Sequence, residues 1–291
     1  MRPLGPIRDS RLRPELKDLR SQGGGSRRSL EWDALDASAL PQRSRELVGE
    51  TWRERMRQEH LAVGAFALLA QELARVGCDP IVLSLVARAS ADEVRHTEVC
   101  RRMAETLLGE AAVPHRYKGL PHVPPHEAAS PEDRVLLHVV EMCCLSETLT
   151  AVYFTEMVAR ATHPVARAVV ESLLEDEIDH SRAGWAYLAS RARERTTDGL
   201  APALPALLDR TVGRALVDLD GRVDEDDPAM EAFGYLGGRT GARILRQSFR
   251  DVILRGFEEL GIDDSAAQAW GRERGYLEST ALEDGTARKL T

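Results

Sequence analysis

The chain has 291 residues, of which 43% are hydrophobic, 5% aromatic and 30% charged, and its formal net charge is −8. This length allows one large domain or two small ones with a sizeable core, and the acidic balance argues against a nucleic-acid partner. There is no unbroken run of eighteen apolar residues and no apolar leader segment, so we expect neither a membrane partner nor secretion. The four cysteines form no C-x-x-C pair, which favours a reduced, cytoplasmic location.

Residues 1–41 are predicted to be a disordered N-terminal tail. The stretch up to Arg28 is basic, contains "SQGGGS" and has no sustained apolar period. A basic arm that docks on an acidic partner is the alternative interpretation.

Residues 42–195 are predicted to form one four-helix domain. Helical periodicity runs over about 44–76, 80–109, 130–162 and 163–195. Gly77 suits the end of the first helix, Pro80 the first turn of the second, and "SPED" from Ser130 the start of the third. The short connections within each pair of helices predict two antiparallel hairpins.

The two predicted hairpins are joined by the long segment "EAAVPHRYKGLPHVPPHEAAS", which has no clear period. About twenty extended residues reach roughly 60–70 Å, whereas a helix of about thirty residues is roughly 45 Å long. We therefore expect a crossover that travels the length of the bundle.

Residues 196–291 are predicted to be a helical extension that packs on the four helices. Helical patterns occur in "ALPALLDRTVGRALVDL", in "RILRQSFRDVILRGFEEL" and in the shorter "SAAQAWGRERGYLE". No β-type alternation persists anywhere, so the fold class is all-α.

Two segments, "ADEVRHTEVC" and "EDEIDH", repeat the pattern Asp-Glu-x-x-His. On a helix, Glu93 and His96 share one face, and so do Glu177 and His180. Both pairs lie in otherwise apolar stripes, where polar groups are costly to bury unless something compensates them. A metal ion provides such compensation.

Each of the other two long helices carries one carboxylate in an apolar stripe. Glu59 lies between Met56 and Ala62, and Glu147 lies between Cys143 and Ala151. Hairpin geometry places each glutamate at the height of one Glu-x-x-His pair. The sequence therefore brings six candidate metal ligands to one level of the predicted helices: Glu59, Glu93, His96, Glu147, Glu177 and His180.

This order of ligands resembles the ferritin-like di-iron carboxylate superfamily, which includes bacterioferritin, rubrerythrin, acyl-carrier-protein desaturases and bacterial multicomponent monooxygenases. The resemblance covers the four predicted helices and implies that Glu93 and Glu147 bridge two iron ions. It implies that Glu59 and His96 complete one iron, while Glu177 and His180 complete the other. Carboxylates with imidazoles suit iron, and manganese or a mixed pair is the alternative.

The aspartate before each glutamate also has an expected role. A ligating imidazole usually donates its free N–H to a carboxylate. By the resemblance, Asp92 serves His180 and Asp176 serves His96. The alternative is that both aspartates are solvated helix residues.

Three further positions bear on the surroundings of the metals. "DEVRH" resembles a D-E-x-R-H form in which Arg95 pairs with an acid, but the second motif has Asp179 in that place. A symmetric Asp–Arg network is therefore not expected. Cys100 resembles the cysteine of methane monooxygenase hydroxylase near the metals, and a small buried thiol is the alternative.

The remaining histidines are not expected to be ligands: His60, His115, His122, His126 and His138.

The resemblance implies a di-iron oxidoreductase of the oxidase or oxygenase type. Dioxygen would be its co-substrate, a small organic molecule its substrate, and a reductase or ferredoxin its electron donor; a homodimer is left open. The chain lacks the C-x-x-C module of rubrerythrin, and Leu173 replaces a histidine of the aryl-amine N-oxygenases. The long C-terminal extension favours an enzyme over a storage shell.

Two other functions are kept as alternatives. Iron sequestration or ferroxidase activity predicts no cavity beside the metals, whereas an oxygenase requires one. A structural helical bundle predicts that the six ligands do not converge. The aromatic residues at helical spacing are expected mainly in the core, with a pocket or an electron path as the alternative: Trp52, Phe66, Tyr153, Phe154 and Trp185.

Overall fold

A computed structural model describes residues 30–112, 130–222 and 226–277. Over these ranges the protein is all-helical and contains no strand, as predicted. The predictions for the tail up to residue 29 and for most of the crossover fall outside the described residues, as do the three histidines of the crossover.

Four long helices occupy the region that the sequence assigns to them. They are α1 (Gln42–Val76), α2 (Pro80–Leu108), α3 (Pro131–Arg160) and α4 (Pro164–Arg193). Gly77 ends α1 in the left-handed conformation, with φ +71°, which costs glycine nothing because it has no Cβ. The Ser130 hydroxyl accepts from the backbone N–H of Asp133 at 3.0 Å and so begins α3.

Within 196–222 and 226–277, the part of the C-terminal region that the structure describes, the chain forms four further helices. Helix α5 runs through Leu200–Leu208, Asp209–Gly213 and Arg214–Asp220, and its middle segment is π-helical. Helix α6 is the short Pro228–Glu231. Helix α7 joins Gly238–Ser248, the π-helical Phe249–Leu254 and Arg255–Glu259, and α8 is Ser265–Glu273.

The long helices contact one another in a closed order. Helix α1 packs along α2, α2 contacts α4, α4 contacts α3, and the first turns of α3 contact α1. Helices α5 and α7 pack on α3 and on each other, and α8 packs on α5. The C-terminal helices therefore belong to the same packed body as the long helices.

Two apolar clusters fill the interior. One contains Phe66 of α1 and Leu136 of α3 and extends into the C-terminal helices, and the other contains Trp52 of α1 and Phe154 of α3. Along each long helix, the predicted metal ligands fall where the apolar residues change from one cluster to the other. The polar side chains thus form one layer between two dry regions, which shield it from water.

The N-terminal boundary differs from the sequence prediction. Leu35, Ala37 and Leu40 are buried and join the cluster that contains Trp52. A disordered tail that reaches residue 41 is therefore wrong for residues 35–40, because apolar contacts hold them on the bundle.

Helix α3 is also long and apolar enough, by length and composition, to cross a membrane. The sequence analysis found no unbroken run of eighteen apolar residues and predicted no spanning segment, whereas α3 meets this looser criterion of length and mean hydropathy. However, 72% of its most apolar window is buried inside the structure. Burial of this kind is consistent with a core helix of a soluble protein.

Candidate metal centre

The six predicted ligands converge in two overlapping groups. One group is Glu59, Glu93, His96 and Glu177, and the other is Glu93, Glu147, Glu177 and His180. Within each group, one potential ligand atom per residue lies within 4.8 Å of every other, and all six residues are buried. Such groups can hold two metal ions side by side.

The carboxylates common to both groups are Glu93 and Glu177. The resemblance implied that Glu93 and Glu147 bridge two ions; the two groups have Glu93 and Glu177 in common instead, and the bridging role itself stays a prediction. The physical reason is that Glu93 and Glu177 each share a helix face with a histidine and face each other across the α2–α4 contact. Glu59 of α1 and Glu147 of α3 each belong to one group only.

Both imidazoles turn the same nitrogen toward the carboxylates. The Nδ1 atom of His96 lies 3.3 Å from Glu93 and 3.2 Å from Glu177, and 3.6 Å from Glu59. The Nδ1 atom of His180 lies 3.2 Å from Glu93 and 3.3 Å from Glu177. The Nδ1 atoms are therefore the nitrogens available to metal ions.

The opposite nitrogens face the two aspartates of the motifs. The Nε2 atom of His96 forms a 3.2 Å hydrogen bond with Asp176, and that of His180 lies 3.5 Å from Asp92. His96 thus has the cross-motif hydrogen bond that the resemblance implied, whereas His180 faces the expected aspartate without forming a hydrogen bond to it. A carboxylate at Nε2 favours the proton on that nitrogen, so Nδ1 is the atom that would bind a metal. Burial opposes protonation of the rings, but the surrounding carboxylates raise the pKa of both imidazoles well above the usual value, so a metal would displace a proton from Nδ1.

Two arginines stand behind these aspartates, and one of them was missed from the sequence. Arg95 forms an ion pair with Asp176. Arg88 contacts Asp92 at 3.3 Å and Asp179 at 2.7 Å. Arg88 lies four residues before Asp92 on a helix, and this spacing was the signal that could have identified it.

Several buried atoms at the centre have no hydrogen-bond partner. They include Oε2 of Glu93 and Nδ1 of His96. A buried polar atom without a partner is costly, and both atoms face the interior of the ligand groups. The donor set of carboxylate oxygens and imidazole nitrogens therefore fits divalent iron or manganese.

Crowding of the carboxylates changes their acidity. Burial, together with the charges of Glu93 and Glu177, raises the pKa of Glu59 to about 8. Burial and the neighbouring Glu177 also raise the pKa of Glu147 well above its usual range. Burial opposes ionisation of Glu177 as well, but hydrogen bonds from Glu147 and the histidines lower its pKa. In the metal-free centre Glu59 and Glu147 therefore retain protons, which bound metal ions would displace.

Glu147 ends the π-helical stretch of α3, Val140–Glu147. A Cβ atom on Gly184 of α4 would lie 2.3 Å from the Cβ of Cys143, so only glycine allows this close approach. Next to Glu147, the hydroxyls of Thr148 and Ser181 are 2.8 Å apart. These contacts hold α3 against α4 and bring Glu147 to Glu177.

A cavity of about 360 Å³ adjoins the centre. Four of the predicted ligands, all glutamates, lie on its wall, together with the aromatic side chains of Tyr153 and Phe154. Two arginines, Arg55 and Arg222, also line it. Sequence reasoning missed both arginines, although Arg55 lies four residues before Glu59.

The remaining candidates lie outside the two ligand groups. Cys100 is buried, and burial raises the pKa of its thiol well above its usual range, so the thiol is neutral. His138 binds Glu72 through its Nδ1 atom. Trp52 and Phe66 are fully buried core residues.

No family model, curated protein or solved structure matches this chain. The class of site is therefore defined by its own geometry: a buried cluster of carboxylates and histidines in a helical bundle that can hold metal ions.

Proposed function

We propose that this protein is a ferritin-like, dinuclear iron oxidase or oxygenase that uses dioxygen to oxidise a small organic molecule. The observation that carries the proposal is the cavity of about 360 Å³ whose wall includes four carboxylates of the ligand groups. A site that only stores iron has no need of an organic-sized space beside the metals.

The convergence of the six side chains argues against a purely structural bundle. That alternative predicts scattered ligands, but they form two compact groups with unpartnered buried atoms. The carboxylate and imidazole donors favour iron, with manganese or a mixed pair as the competing metals.

The residues of the chain have distinct tasks in this proposal. Glu93 and Glu177 hold two ions together, and Glu59 and Glu147 each complete one side. Asp92 and Asp176 orient the imidazoles. When bound, the two ions supply the electrons and open positions at which dioxygen is reduced, and an external reductase or ferredoxin restores those electrons.

The side chains around the cavity position the substrate and exclude water. Ala62, Leu149 and Phe154 form an apolar part of the wall beside the glutamates. The two apolar clusters close the centre above and below. Exclusion of water protects reactive states from side reactions.

The test is metal content followed by dioxygen consumption. Protein produced with iron should contain about two ions per chain by elemental analysis. The double variant Glu93→Ala with His180→Ala should contain almost none, whereas the distant surface variant Arg255→Ala should match wild type. Chemically reduced wild type should consume dioxygen without accumulating more iron.

Two results would count against the proposal. Absence of bound metal under reducing, iron-replete conditions would overturn the metal centre itself. Iron content that climbs far above two ions per chain during repeated additions of Fe²⁺ and dioxygen would instead indicate storage.

A further inference from the structure

Arg55 is a buried cation that forms no ion pair with a carboxylate of the described residues, although the charge of Glu59, one helical turn away, acts on it at longer range. Its side chain is only 8% exposed. Its Nη1 atom is buried and has no hydrogen-bond partner, and its Nη2 atom contacts only the sulfur of Met157 at 3.5 Å. Among the described residues, no acid forms an ion pair with it. Burying a charge in this way is costly unless something compensates it.

The guanidinium is nevertheless held in one place. Its central carbon lies 4.6 Å from the centroid of the Trp52 ring and 4.9 Å from that of Phe154. The Trp52 ring is itself fixed, because its Nε1 atom donates to the carbonyl of Phe233 at 2.9 Å. These cation–π contacts orient the planar group but leave its N–H donors unused.

The charges of the metal centre are balanced without Arg55. Four glutamates carry the charge that two divalent ions would neutralise. The three nearby aspartates have their own arginines, which contact them within 4.0 Å: Asp92 and Asp179 with Arg88, Asp176 with Arg95, and Asp179 also with Arg182. Arg55 is therefore the cation left over at the cavity.

The cavity adds a second cation and a hydroxyl. Arg222 donates to the Tyr153 hydroxyl at 3.2 Å, and both residues line the same space as Arg55. Asp218 also lines it, but its carboxylate already contacts Arg214 at 3.2 Å. Four of the five carboxylates on the cavity wall belong to the ligand groups, so the charge left over there is positive once two divalent ions neutralise those four.

We propose that the cavity binds a small monocarboxylic acid, whose carboxylate accepts hydrogen bonds from Arg55 and whose apolar remainder lies along Leu149 and Phe154. The planar guanidinium matches a carboxylate in two parallel hydrogen bonds. This inference rests on the proposed function and identifies the substrate of that site as an organic acid.

The experiment compares acids with their neutral amides on metal-loaded protein. Isothermal titration calorimetry would measure acetate, butyrate, octanoate and benzoate against acetamide, butyramide, octanamide and benzamide, with inorganic phosphate as a competing anion. At least one acid should bind wild type more tightly than its amide and more tightly than phosphate.

The variant Arg55→Gln should weaken binding of that acid roughly 10- to 100-fold, the loss expected for charge-assisted hydrogen bonds. Arg55→Lys keeps the charge and should lose less. The matched control Arg57→Gln removes an exposed arginine on the same helix, which pairs with Glu54, and should bind as wild type does. A melting curve confirms that each variant is folded.

Three results would overturn the carboxylate site. One is that no acid is preferred over its amide. Another is that phosphate binds most tightly. The third is unchanged binding in Arg55→Gln, which would mean that the acid binds the metal ions directly. Metal content measured on the same samples separates these results from failure of the proposed metal centre, because that failure appears as missing iron.

Discussion

His96 and His180 present the same nitrogen to the same two glutamates, but the groups behind them differ. Behind His96, Asp176 pairs with Arg95, which is part of the first motif. Behind His180, Asp92 pairs with Arg88, one turn before the motif. Both arginines come from α2. The second motif lacks its own arginine, and its histidine faces an aspartate that an arginine contacts, but without the hydrogen bond that His96 makes.

The difference explains the aspartate at position 179. In the ion pairs that cross between the two helices, α2 supplies the cations and α4 the acids: Arg95 faces Asp176, and Arg88 faces Asp179. An arginine at 179 would face Arg88 with like charge. The repeated motif is therefore symmetric in its metal ligands and asymmetric in its supporting ion pairs. The following predictions test this comparison.

The largest effect is expected from the carboxylates that the two halves share. Glu93→Gln and Glu177→Gln should each lose nearly all of about two bound ions per chain, because each removes a ligand from both groups. Glu59→Gln and Glu147→Gln touch one group each and should retain about one ion. Elemental analysis of the iron-loaded variants distinguishes these two outcomes. Equal losses of iron in all four variants would refute the prediction that Glu93 and Glu177 bind both ions.

The next largest effect is expected from the aspartates behind the histidines. Asp176→Asn and Asp92→Asn should each lower metal affinity about 10- to 100-fold. The loss should be greater for Asp176→Asn, since its contact with His96 is 3.2 Å and that of Asp92 with His180 is 3.5 Å. Competition with a metal chelator measures this, with the surface variant Glu98→Gln as control. An unchanged affinity in both variants would show that the aspartates do not orient the ligands.

Metal affinity should also rise with pH. The pKa of Glu59 is about 8 in the metal-free centre, so the carboxyl keeps its proton at pH 7. A metal ion binds only the deprotonated carboxylate, so binding below pH 8 releases a proton and weakens as the pH falls. For each released proton we expect about a tenfold change per pH unit. Calorimetry in buffers of different ionisation enthalpy counts the protons, and the absence of release at pH 7 would contradict the raised pKa.

The smallest effect is expected at position 179. Asp179→Asn removes two partly exposed ion pairs, with Arg88 and with Arg182, and should cost about 1 kcal/mol of unfolding free energy or less. Asp179→Arg places a cation against Arg88 and should be the more destabilising of the two. Denaturant unfolding measures both, with the exposed Asp251→Arg as the charge-matched control. If Asp179→Arg were as stable as Asp179→Asn, the asymmetry would have no electrostatic basis.

Much of the candidate site could be predicted because it depends on contacts along single helices. Glu93 with His96, and Glu177 with His180, are three residues apart, and that spacing places each pair on one face of a helix. The boundaries near Gly77, Pro80 and Ser130 are also local, since each residue acts on its own turn. Local rules of this kind can be applied to a sequence without knowing the fold.

The incorrect or missing assignments involve contacts between helices. Glu177 rather than Glu147 is the second shared carboxylate because of how α2 meets α4 and α3. The buried segment around Leu35 and Leu40 depends on an apolar surface assembled from distant residues. No spacing along the chain encodes such distances.

By itself, the sequence determined an all-helical protein, the extents of its four long helices and the six side chains that gather in its interior, since helical periodicity and residue chemistry are local properties. Only the tertiary structure decided which carboxylates the two groups share, that Arg88 contacts the aspartate behind His180, and that, among the described residues, no carboxylate forms an ion pair with Arg55 at the cavity. These features depend on which helices approach one another, and on how closely, because electrostatic and packing energies follow distance in space.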